Sequence, residues 1–122
     1  MNNNSNSNEV MVNDKKISLD KMIWESDQII EIDRSVDNIY ELILPEGASI
    51  YRWKLSDIKA SHDERFQYIF DEDLEGLSLY AQRYIFELDD DIDEFEIKLV
   101  NIDDIDKEYD QVDGKVFKFC LK

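Results

Sequence analysis

Apolar and polar residues alternate with a period of two over much of this chain. Tyr51, Trp53 and Leu55 are interleaved with Arg52 and Lys54. Phe95, Ile97 and Leu99 are interleaved with Glu94, Glu96 and Lys98, and Phe117, Phe119 and Leu121 with Lys118, Cys120 and Lys122. Side chains on an extended strand point to opposite faces in turn, so each run predicts a strand with one apolar and one polar face. Ile17–Trp24, Gln28–Asp33 and Asn38–Leu44 are also rich in Ile, Leu and Tyr, with less regular alternation. Leu77–Leu88 fits a helical stripe and a strand about equally. Its Tyr, Ile and Phe content favours a strand, which the acidic turn at Asp89–Asp93 would fold back as a hairpin onto Phe95–Asn101.

The punctuation predicts turns and one helix. Asp113-Gly114, between Val112 and Lys115, is a two-residue type I′ hairpin signal. Pro45-Glu46-Gly47 separates a strand ending at Leu44 from one starting near Ser49. Ser61-His62-Asp63-Glu64 has the form of a capping box, after which Phe66, Ile69 and Phe70 would share a helical face. Together these predict an α+β fold: an antiparallel, meander-like sheet of five to eight strands with one or two helices on a face. A mostly-β sandwich is the alternative. Residues 1–9, opening MNNNSNSN, lack apolar side chains after Met1 and read as a disordered polar leader to one acidic domain over 10–122.

Composition narrows the class. Of 122 residues, 43% are hydrophobic, with six Phe, six Tyr and two Trp, enough large side chains to fill a core. Cys120 is the single cysteine, so no intramolecular disulfide forms, which fits a reducing compartment. The first residues have no basic or apolar region of a secretory signal, and no apolar run would span a bilayer. The expected location is the cytoplasm.

Charge changes the picture most. The formal net charge is −16, and between Glu87 and Asp113 thirteen acidic residues face only Lys98 and Lys107. That exceeds the net charge of about 2–8 that keeps a small domain soluble. Such a field attracts basic partners and repels nucleic acid and anionic membranes. Lys and Arg are scattered, with no basic stripe to bind phosphate.

Candidate chemistry is sparse. Asp71-Glu72-Asp73-Leu74-Glu75-Gly76 resembles the opening of an EF-hand loop, but its twelfth position is Gln82, which offers no bidentate carboxylate. The only histidine, His62, falls in the predicted cap, and Cys120 falls in a terminal strand. Neither lies in a nucleophile motif, and no phosphate loop, dinucleotide fingerprint or zinc spacing occurs. An enzyme is not expected, and neither cofactor nor metal is expected.

What remains is an acidic binding surface. On an extended chain Glu87, Asp89, Asp91 and Asp93 form one row of carboxylates and Asp104, Asp106, Glu108 and Asp110 a second nearby, and with Asp90 and Asp103 they are expected to make one continuous anionic surface. Tyr109, between two of these acids, is the candidate aromatic anchor for an arginine-rich partner. In composition alone the chain resembles small acidic inhibitors made by phages and mobile elements against restriction enzymes, other nucleases or CRISPR effectors. It equally resembles immunity proteins that neutralise basic toxins. The expected function is non-enzymatic inhibition of a basic, nucleic-acid-handling protein, with carboxylates imitating phosphates. A calcium-binding or structural subunit module is the other alternative.

Overall fold

The computed structural model describes residues 8–46, 50–68 and 80–122. Nine strands run through them: β1 (Glu9–Val12), β2 (Lys15–Ser18), β3 (Gln28–Ile32), β4 (Ile39–Pro45), β5 (Tyr51–Leu55), β6 (His62–Gln67), β7 (Tyr80–Glu87), β8 (Glu94–Asn101) and β9 (Gly114–Leu121). They form an antiparallel five-stranded sheet in the order β2-β1-β4-β7-β6 and a mixed four-stranded sheet in the order β3-β9-β8-β5, consistent with a β-sandwich. Among the described residues the only parallel pair is β3 with β9.

This corrects the α+β expectation. Among the described residues there is no α-helix, only two single-turn 3₁₀ segments at Ile102–Asp104 and Tyr109–Gln111. The expected capping box is instead the start of β6. Ser61 donates its hydroxyl to the Ile85 carbonyl, and His62 through Gln67 pair with β7 from Ile85 to Tyr80. His62, Glu64 and Phe66 take one face and Asp63, Arg65 and Gln67 the other, so both faces are charged and the segment has no apolar strand period of its own. Pairing of all six β6 residues with β7 outweighs one local cap.

The preferred strand over Leu77–Leu88 corresponds to β7, but its predicted partner does not hold. β7 lies between β4 and β6, and β8 belongs to the other sheet. Asp113-Gly114 is not a two-residue hairpin either, because residues 102–113 connect β8 to β9. Gly114 is required for another reason. A Cβ there would lie 2.6 Å from the Leu99 carbonyl oxygen and 2.8 Å from a Val100 methyl. The tight hairpin is at Asn13-Asp14, both at positive φ (50° and 67°), joining Val12 to Lys15. Pro45 ends β4, and the chain then passes to β5 in the opposite sheet, not to a hairpin partner. The leader expected over residues 1–9 falls outside the described residues through residue 7, and β1 starts at Glu9.

The core lies between the sheets. Tyr40, Leu42, Leu44, Tyr84 and Phe86 face Ile97, Leu99, Phe117 and Phe119. Phe95 stacks on Phe119 at 4.9 Å and meets Phe86 edge-on at 5.1 Å, which joins the two layers. Two hydrogen bonds cross with them: the Trp53 indole donates to the Pro45 carbonyl, and the buried Tyr84 hydroxyl donates to the Trp53 carbonyl. Burial of Tyr84, with Asp63 and Glu46 nearby, pushes its hydroxyl pKa up.

Candidate functional site

The predicted acidic rows do not meet. Glu87, Asp89, Asp90, Asp91 and Asp93 lie where β7 crosses to β8, at the start of β8. Asp103 and Asp104 follow its far end, and Asp106, Glu108 and Asp110 sit on the segment that folds back over its outer face, where the Tyr109 hydroxyl reaches Glu96. Each acidic connection has its own surroundings.

At the first end, residues 87–93 are tied to the connection between β3 and β4. Leu88 N donates to the Asn38 carbonyl, the Asn38 side-chain amide donates to Asp90, and Arg34 bonds both the Ile92 carbonyl and the Asp93 carboxylate. The β1–β2 turn joins them: Asn13 exchanges hydrogen bonds with the backbone of Glu41, two residues along β4 from Ile39, which pairs with Glu87. Three segments far apart in sequence therefore bring Asp14 and Asp37 to the same end as Glu87, Asp89, Asp90 and Asp91. None of these six carboxylates has a cationic partner among the described residues, whereas Asp33 pairs with Lys15 and Asp93 with Arg34. The Ser35 hydroxyl, with the Ile39 N–H behind it, lowers the Asp37 carboxyl pKa and keeps it ionised. Val36 stands fully exposed beside it. Sequence reading missed Asp14 and Asp37, because their place here depends on which strands pair.

At the other end, residues 102–113 fold back over the outer face of the four-stranded sheet. Lys54 and Lys98 lie directly opposite one another on β5 and β8, a like-charge pair that repels. The Lys54 ammonium donates to the Ile105 carbonyl at 3.0 Å. The Lys98 ammonium donates to the carbonyls of Tyr109 (2.7 Å) and Val112 and lies 4.2 Å from the Tyr109 ring centre. The Tyr109 hydroxyl donates to Glu96 at 3.3 Å. Partial burial, then the charges of Glu96, Asp110 and Asp57, push the hydroxyl pKa up. Tyr109 is thus held as a cover over Lys98 and is not presented as a free anchor. Asp104 pairs with Lys107 at 2.8 Å, while Asp103, Asp106, Glu108 and Asp110 point away without an ion pair among the described residues.

The remaining candidates are separated or structural. His62 lies 3.0 Å from Glu64 on the outer face of the five-stranded sheet, and Cys120 lies half-buried on the outer face of the other. They are not brought together. The EF-hand-like loop over 71–82 falls largely outside the described residues. Its last position, Gln82, is buried in β7 and donates to Asp63. Among the described residues no group of three or more His, Cys, Asp or Glu could hold a metal ion, and no helix is long and apolar enough to cross a membrane. Among the described residues the one buried carboxylate, Glu46 at 2% exposure, bonds Arg65 at 2.9 Å and Arg52 at 3.5 Å. It pins the start of the passage from β4 to β5.

No protein-family model, no curated protein and no solved structure matches the chain.

Proposed function

We propose that this protein is a non-enzymatic inhibitor that docks an acidic surface on a basic, nucleic-acid-handling protein in the cytoplasm, such as a nuclease or a CRISPR effector. The observation that carries the reading is the cluster of six carboxylates without cationic partners among the described residues, Asp14, Asp37, Glu87, Asp89, Asp90 and Asp91, on loops fastened to one another at one end of the sandwich. Fastened loops hold the charges in place, so a basic partner meets them without first ordering the chain. Exposed Val36 offers an apolar contact among them. Asp103, Asp106, Glu108 and Asp110 form a second, separate patch. This reading assigns the docking role to the first.

The test is binding and inhibition measured against a panel of basic nucleases, CRISPR effectors and toxins at low and high salt. A bound target should lose at least ~10-fold in affinity at low salt when Glu87→Gln, Asp89→Asn, Asp90→Asn and Asp91→Asn are combined. The same neutralisation at Asp103, Asp106, Glu108 and Asp110 should change it little. Undiminished binding by the first variant would remove this surface from consideration. Inhibition that tracks the second patch would move the site to the connection between β8 and β9.

A further inference from the structure

Among the described residues the two open sheets have four edge strands, β2, β6, β3 and β5, and each edge presents backbone groups that another chain could pair with. Three of them carry a guard. β2 is four residues long and bears Lys15 and Lys16. β6 is lined with charge at Asp63, Glu64 and Arg65. On β5, the carbonyls of Tyr51 and Trp53 already accept from the Arg52 guanidinium and the Tyr84 hydroxyl.

β3 differs. The Lys122 N–H donates to the Ile32 carbonyl, and the Leu121 N–H donates to Asp93 on the β8 side. Even-numbered residues of β3 therefore face β9, and the N–H and C=O groups of Ile29 and Glu31 face outward with no hydrogen-bond partner among the described residues. The Ile29 side chain is 74% exposed, and the one charge on the strand, Glu31, is tied to Lys122. Between β3 and β2 runs a groove with two recesses of about 380 and 170 Å³ that share Ile17 and Glu31 as lining.

We infer that β3 accepts an extended segment of a basic partner as an added strand. The segment's backbone would exchange hydrogen bonds with Ile29 and Glu31. Its alternate side chains would drop into the recesses against Ile17 and Ile32, and the others would lie over exposed Ile29. A second copy of this chain would bring another charge of −16 to the same edge, so repulsion disfavours self-pairing there. β3 leads at Ile32 into the loop carrying Asp33 and Asp37, so a basic strand continuing past it would meet the acidic end of the sandwich. The sign of the partner's charge rests on the function proposed above; the strand addition itself does not.

The test is nuclear magnetic resonance of the isotope-labelled full chain titrated with three probes: a short peptide of alternating valine and lysine, the same peptide methylated on every second backbone nitrogen, and an alternating valine–threonine peptide. The first should slow hydrogen exchange at the Ile29 and Glu31 amides by about tenfold or more, while Ile30 and Ile32, already in the ladder, change less. The methylated peptide should not. Ile29→Pro removes one outward donor and spares the β9 ladder, so it should weaken binding about tenfold with little loss of melting temperature. Equal binding of the methylated peptide, or binding that leaves those two amides unchanged, would overturn the inference, as would no binding by any probe. Protection by the neutral peptide but not by the lysine peptide would overturn the basic occupant of this edge and leave the open edge standing. Conversely, a basic protein whose binding depends on Asp89–Asp91 but ignores Ile29→Pro would sink the strand addition alone.

Discussion

The two connections at the ends of β8 are both strongly acidic, yet they do different work. Residues 88–93 are fastened by Arg34 and Asn38 so that Asp89, Asp90 and Asp91 stay in solvent. Residues 102–113 lie back on the sheet and satisfy the ammonium groups of the facing pair Lys54 and Lys98 with backbone carbonyls and the Tyr109 ring. A run of carboxylates therefore does not reveal what its segment is for. What the backbone beneath it is bonded to decides that.

Four measurements would break or sharpen this contrast. Both ends hang on the same strand, so Phe95→Ala, which empties the space between Phe86 and Phe119, should lower unfolding free energy by about 3–5 kcal/mol and loosen both together. A denaturation curve in which one end melts separately would show that they are not coupled through β8. Lys98→Ala leaves the Tyr109 and Val112 carbonyls without their donor, at a cost of about 1–3 kcal/mol, and should speed hydrogen exchange across 102–113 only. If exchange at 88–93 rose equally, the division of roles would fail.

Alkali should act on the second end and the core, not on the first. The Tyr109 and Tyr84 hydroxyls have pKa values raised above their ordinary one near 10. The folded state therefore favours the protonated phenol. Its contribution is complete below about pH 10 and is lost as pH climbs towards the raised values. The urea midpoint should fall above about pH 10, and the fall should shrink in Tyr109→Phe and Tyr84→Phe. The smallest effect belongs to Asp89→Asn, Asp90→Asn and Asp91→Asn combined. With like charges removed and no ion pair lost, the midpoint should stay where it is or rise slightly, as read in the same urea titration. A clear drop would show these carboxylates to be structural.

These features were unevenly legible in the sequence. The three clean alternations coincide with β5, β8 and β9, three of the four strands of one sheet, because each buries one face on an aromatic core and leaves the other wet. The five-stranded sheet was harder to read. β6 has charges on both faces, and its strand state comes from pairing with β7, which no local pattern reports. The Asn13-Asp14 turn lacks the glycine that usually announces positive φ. The acidic residues were plain from composition. Their separation was not, since it depends on β7 and β8 lying in different sheets when their short connection suggested a hairpin. Asp14 and Asp37 reach the first end through the same long-range pairing.

The position of β9 has a consequence for how the molecule is made. It lies between β3 and β8, so the four-stranded sheet has a gap at its centre until residues 114–121 leave the ribosome. The five-stranded sheet is complete in sequence by Glu87 and can pair earlier, with one apolar face uncovered. Closing that gap joins β9 to a strand more than eighty positions upstream, a slow step for a nascent chain. Until it happens, the exposed layer is the form a cell's chaperones would meet.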